Sequence, residues 1–179
     1  MNLFLIGYRC SGKTTVGKSI AKNLGWAFVD ADTMLTAACG KNIKEIIDTE
    51  GWASFRRRER STLKQICARQ RQVVATGGGV VLDAASIAAM KTSGQVVWLN
   101  ASADTIRSRV QADTNTEHLR PALTEKGTLA EIEDLSRERR PLYERASDFA
   151  VQTDGLPIDE IVQKILARLN ENKVKKRSF

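Results

Sequence analysis

Histidine occurs once in this chain, at His118, and cysteine three times, at Cys10, Cys39 and Cys67. With no second histidine or cysteine near His118, no zinc-type centre can be assembled, and no Ser/His/Asp hydrolase arrangement is present. The cysteines are odd in number and lack ligand spacing, which points to a reducing, cytoplasmic setting. No apolar run approaches the length of a bilayer crossing, so no membrane partner is expected. The first strand follows Met1 directly, without a charged leader, and no signal peptide is expected. Aromatic residues make up only 6% of the chain and do not interleave with its basic residues. Despite a net charge of +7, this argues against nucleic acid, which needs stacking platforms beside its cations. The arginines suit an anionic small molecule and a nucleotide triphosphate better.

Against these absences, one stretch carries a specific chemistry. Gly7-Tyr8-Arg9-Cys10-Ser11-Gly12-Lys13-Thr14 matches G-x-x-x-x-G-K-[ST], the phosphate-binding loop. Asn2–Ile6 before it reads as a buried parallel strand. After it, Val16, Ile20 and Leu24 recur at helical spacing and Gly25 supplies a stop. A strand feeding a glycine loop and then a helix aims backbone N–H groups and the positive helix end at an anion. Lys13 would reach the β- and γ-phosphates, and the Thr14 hydroxyl would hold Mg²⁺.

Further on, the pattern is that of an α/β protein: five strands alternate with helices, which implies a parallel sheet covered on both faces. At 179 residues one domain is expected, spanning residues 1–170, with a basic tail at 171–179 that reads as a frayed, solvated end. The second strand ends in Asp30-Ala31-Asp32, where open α/β sheets bind ligands; Asp32 could simply cap the next helix, but after a P-loop strand the functional reading is favoured. Gly51 interrupts a helix that begins near Ile43 and resumes to about Gln70. On that helix Arg56 and Glu59 lie three apart, as an internal ion pair or with Arg56 turned into a cleft to clamp a carboxylate. The third strand runs into Gly77-Gly78-Gly79, where the backbone can pass very close to a ligand. Between Gln111 and Thr124 hydrophobic periodicity disappears, a length more typical of a functional lid than of a connector; Arg120 sits within it. A charged helix follows from Gly127 to Ala146, which Pro141 should kink or restart. Pro157 opens the last helix.

These residues together resemble shikimate kinase, a small P-loop kinase of the nucleoside monophosphate kinase type. The likeness runs from Asn2 to about Leu169. It rests on the loop at 7–14, Asp30-x-Asp32, Phe55-Arg56-x-x-Glu59, Gly77-Gly78-Gly79, Leu119-Arg120-Pro121 and Arg139-x-Pro141-Leu142-Tyr143. It implies a three-layer P-loop kinase fold with a five-stranded parallel sheet, a substrate-binding helical region at about 31–70 and a mobile lid at about 111–124. It also implies ATP and Mg²⁺ as cofactors, shikimate as the substrate phosphorylated on its 3-hydroxyl, and a monomer.

Carried over residue by residue, Lys13, Asp32 and Arg120 would be catalytic, Asp32 as base and Arg120 meeting the transferring phosphoryl. Gly7, Arg9, Cys10, Ser11, Gly12, Lys13, Thr14 and Thr15 would hold the nucleotide phosphates, and Arg109 and Pro157 would flank the adenine. Asp32, Arg56, Gly77, Gly78, Gly79 and Arg139 would bind shikimate, with Glu59 orienting Arg56 and both arginines on the carboxylate. Thr14 and Asp30 would hold the metal. Two departures stand out: Cys10 replaces the family's usual third loop glycine, and the lid carries Glu117 and His118. Gluconate kinase is the alternative within enzymes, since gluconate also presents a carboxylate and hydroxyls; the glycine run, the paired aspartates and Phe55-Arg56 favour shikimate. A nucleotide-binding regulatory module would lack a catalytic group, whereas Lys13, Asp32 and Arg120 are all present.

Overall fold

The computed structural model describes residues 1–112 and 131–177, with side-chain environments up to residue 171. Its centre is one all-parallel sheet of β1 (Asn2–Ile6), β2 (Ala27–Asp30), β3 (Gln72–Ala75), β4 (Gly94–Asn100) and β5 (Phe149–Gln152), in the order β2-β3-β1-β4-β5. Strand β1 is thus the middle strand, with Leu3 opposite Val73 on one side and Gln95 on the other.

Because side chains alternate along a strand, β1 feeds two cores. Leu3 and Leu5 pack with Val16 and Ile20 of α1 (Lys13–Leu24) and with Ile161 and Ile165 of α7 (Ile158–Arg177). Phe4 and Ile6 face the other way, onto Leu63 and Ile66 of α3 (Ile43–Cys67), Met90 of α4 (Ala84–Ser93) and Tyr143 of α6 (Glu131–Ala146). All four β1 side chains are at most 1% exposed, which is worth about 1.5–3 kcal/mol each in gross transfer free energy. This double burial explains why β1 reads as an unbroken apolar run rather than an alternating one. Two smaller clusters lie at the ligand end. Leu35 of α2 (Ala31–Cys39) packs with Ile43, Ile46 and Phe55 of α3, and Ile106 and Val110 of α5 (Ala103–Ala112) pack with Tyr8, Ile132 and Leu135.

Local chemistry sets the helix ends. Gly25 closes α1 in the left-handed region at φ 62°. Asn42 and Glu45 form a reciprocal capping box at the start of α3. Gly51 breaks that helix as its pattern suggests, at φ 79° and ψ 167°. The cap of α2 is Asp30 rather than Asp32: its Oδ1 accepts from the N–H groups of Asp32 and Thr33. Pro141 neither ends nor restarts α6, which runs continuously across it; what it removes is one backbone donor. The last helix also runs further than the pattern suggested, to Arg177. No glycine or proline stops it, and lysine and arginine are good helix formers that complement the negative end of the dipole. Among the described residues no helix is long and apolar enough to cross a membrane. The proposed lid falls almost entirely outside the described residues, and with it Arg120 and His118.

Candidate active site

The carboxyl ends of β1, β2 and β3 open onto two adjoining hollows. The larger is a cleft of about 500 Å³ lined by Cys10, Ser11, Gly12, Lys13, Thr14 and Thr15, by Asp30 and Asp32, and by Arg109 and Thr153. That volume suits a nucleotide-sized ligand. Its floor is the start of α1, which has neither a capping side chain nor an acidic residue in its first turn. The first N–H groups of that helix therefore have no side-chain acceptor of their own and remain available to an anion. Lys13 is only 9% exposed and donates to the carbonyls of Gly7 at 2.9 Å and Tyr8 at 2.7 Å. Gly7 is required where it stands, since at φ 144° an added Cβ would lie 2.6 Å from the Leu99 carbonyl oxygen.

The two oxygens of Asp30 divide their work. Oδ1 caps α2, while Oδ2 accepts from the Thr14 hydroxyl at 3.0 Å. Two hard oxygen donors at this distance fit a magnesium ion, which binds through one or two protein oxygens together with phosphate oxygens and water. Among the described residues no three His, Cys, Asp or Glu converge as an all-protein metal cage. Arg109 reaches over from α5, its guanidinium donating to the carbonyl oxygens of Cys10 at 3.2 Å and Thr153 at 3.1 Å. Pro157 does not line the cleft; its neighbours Leu156 and Ile158 do.

Cys10 adopts φ 56°, the left-handed conformation that a glycine would take without strain. Such a residue costs about 1–2 kcal/mol, against about 0.5–1 kcal/mol of extra chain entropy lost by glycine on folding. Cys10→Gly is therefore expected to change stability by no more than about 1 kcal/mol and to leave nucleotide affinity within about twofold. Thermal melting and a nucleotide titration check this. A much weaker nucleotide complex would mean that the thiol is in use.

The second, smaller hollow is lined by Tyr8, Arg9, Asp32, Trp52, Phe55, Arg56, Glu59, Gly77, Gly78, Gly79 and Arg139, with Ile43. Arg56 forms the ion pair with Glu59, at 2.6 Å, and also borders the hollow, its guanidinium 5.5 Å from the Trp52 ring centroid. Burial pushes the Glu59 carboxyl above its ordinary pKa, and the Arg56 charge pulls it back only in part. The glycine run is a close-packed strip rather than a loose loop. A Cβ on Gly77 would stand 2.7 Å from Glu59 Oε1, and one on Gly79 would stand 2.3 Å from an Arg56 nitrogen. Tyr143 holds the strip by donating to the Gly78 carbonyl at 2.6 Å while its ring stacks on Trp98 at 5.7 Å. Deep burial raises the pKa of that phenol, which keeps it a donor. Arg139 is 7% exposed, and its Nε has no hydrogen-bond partner among the described residues.

Most of the expected site residues therefore converge. Arg9 differs: it is among the residues that line the smaller hollow and not among those of the nucleotide-sized cleft. Thr153, Leu156 and Ile158 of the cleft, and Tyr8 and Trp52 of the hollow, carried no sequence expectation of a site role. Trp52 alone left a legible signal, standing one helical turn before Arg56.

Comparison with known proteins identifies the chain's relatives. A family model described as shikimate kinase matches residues 9–170. A shikimate kinase of Nitratidesulfovibrio vulgaris is 42% identical over 168 residues, covering 93% of this chain and 94% of its own length. The solved structure of the shikimate kinase from Acinetobacter baumannii in complex with shikimate has a TM-score of 0.88 at 32% identity, over 96% of this chain and 94% of that one. A gluconokinase from Sinorhizobium meliloti 1021 has a TM-score of 0.61 at 20% identity, over 98% of this chain and 96% of that one, a likeness of fold alone.

Proposed function

The chain belongs to the shikimate kinase family, and on that premise we propose that it transfers the γ-phosphoryl group of ATP to the 3-hydroxyl of shikimate. The observation that carries this reading is the place of Asp32. Among the described residues it alone lines both hollows. A carboxylate at the boundary between a phosphate-binding cleft and an arginine-lined pocket is where a base for phosphoryl transfer has to stand.

The larger cleft takes the nucleotide. The open N–H groups at the start of α1 and the loop backbone cradle its phosphates, and Lys13 exchanges its loop carbonyls for phosphate oxygens. A magnesium ion held by Thr14 and Asp30 would supply positive charge to the phosphates. Arg109 flanks the base. The smaller hollow takes shikimate, with Arg56 and Arg139 as planar forks on the carboxylate and Glu59 keeping Arg56 in place. Asp32 accepts a bond from the ring hydroxyl and takes its proton as the oxygen attacks the γ-phosphorus, while the bond from that phosphorus to the β,γ-bridging oxygen breaks and ADP leaves. Arg120 is assigned to the transferring phosphoryl from its motif alone. A monomeric, cytoplasmic enzyme fits the same reading.

A coupled assay of ADP release with shikimate, with gluconate and with no acceptor tests the proposal. Turnover with shikimate at least about a hundredfold above both controls is expected. Faster turnover with gluconate would move the chain to the other acceptor, and nucleotide binding without turnover on any hydroxy acid would make it a non-catalytic module.

A further inference from the structure

Tyr8 and Arg9 belong to the phosphate-binding loop, yet both residues border the acceptor pocket and neither lines the nucleotide cleft. Arg9 is 6% exposed, and its Nη2 lies 3.2 Å from Oε1 of Glu131, a fully buried residue that opens α6. Tyr8 packs beside it on Ile132 and Leu135. The first turn of α6 is therefore tied to the loop twice, by an apolar contact and by a buried ion pair. The same helix carries Arg139 two turns further on. The Arg9 guanidinium stands 5.8 Å from the Tyr8 ring centroid, and that of Arg139 stands 5.9 Å from the same ring.

Two cations can share one ring because Glu131 neutralises the first of them. A buried ion pair is weak evidence for stability, since apolar residues of the same volume hold a core as well or better. Its presence beside a binding pocket, which Arg9 lines, calls for another reason, and the contacts supply one. Resting on the acceptor site described above, we propose that Glu131 is a positioning residue for acceptor binding. It anchors Arg9, Arg9 fixes the Tyr8 ring, and the ring sets where the Arg139 guanidinium stands. One loop then serves both substrates, its backbone facing the nucleotide and its residue 9 side chain bracing the acceptor pocket.

The test compares Glu131→Gln, Glu131→Asp, Arg9→Met and the double variant Arg9→Met/Glu131→Gln in the full chain, measuring kcat, both KM values and Tm. Glu131→Gln and Arg9→Met are each expected to raise the KM for shikimate about tenfold while leaving that for ATP within about twofold, and the double variant to be no worse than Arg9→Met, as expected for two residues acting as one unit. Glu131→Asp should recover part of the loss. A lowered Tm with an unchanged KM for shikimate would reduce the pair to a structural contact and overturn the proposal. An equal rise in the KM for ATP would also overturn it, by returning Arg9 to the nucleotide. If the single variants do not fold, the double variant, which strands no buried charge, decides by its KM for shikimate, a normal value overturning the proposal. A wild-type chain inactive on shikimate would remove the function and this role together, whereas an active wild type with unaffected variants would remove the role alone.

Discussion

Asp32→Asn is expected to lower kcat at least about a hundredfold, the usual worth of a positioned general base, with the protein still folded. Asparagine keeps the size of the side chain and can still bond a hydroxyl, but it cannot take the proton. The boundary position of Asp32 between the two hollows makes the loss one of turnover more than of affinity for either substrate. The structure also makes this substitution cleaner than the sequence suggested. The side chain that caps α2 belongs to Asp30, so removing the Asp32 charge leaves that cap intact and costs only the interaction of a first-turn carboxylate with the helix dipole, about 0.3–1 kcal/mol. Steady-state kinetics with a melting curve on the same preparation separate the two effects. Near-normal turnover would take Asp32 out of the base role.

Arg139→Ala is expected to raise the KM for shikimate by about a hundredfold or more, in line with the 2–5 kcal/mol lost when one partner of a buried charged contact is truncated. The KM for ATP should stay within about twofold, because Arg139 borders the acceptor pocket and not the nucleotide cleft. Its Nε has no hydrogen-bond partner among the described residues. That one donor is thus in place before the ligand arrives, while the guanidinium as a whole also interacts with the Tyr143 hydroxyl. Arg56 is held by an ion pair instead, with Glu59 at 2.6 Å. Arg139→Lys should recover only part of the affinity, since an ammonium lacks the two-pronged geometry that matches a carboxylate. Equal losses for shikimate and ATP would count against the assigned site.

Much of this molecule is legible along the chain because the responsible forces are local. The glycine loop announces itself through its fixed spacing, and the strand before it through an apolar run that only double burial explains. The break at Gly51 and the stop at Gly25 follow from positive φ angles that glycine adopts freely. Asp32, Arg56, Glu59 and Arg139 were identifiable as residue types at meaningful intervals. Their roles were less legible, because each rests on contacts between segments far apart in sequence. The order β2-β3-β1-β4-β5 joins Leu3 to Val73 and Gln95, and pairings over such separations leave no period to read. The same holds for the ion pair of Arg9 with Glu131 and for the packing of Gly79 on Arg56. Asp30 and Asp32, two residues apart, look interchangeable on paper; the backbone turn at the end of β2 makes one the cap and the partner of Thr14 and sets the other between the two hollows. Local propensity and pattern thus settle which elements form and which chemistry the chain carries. Long-range packing, which no short window of sequence records, settles which residues line which hollow.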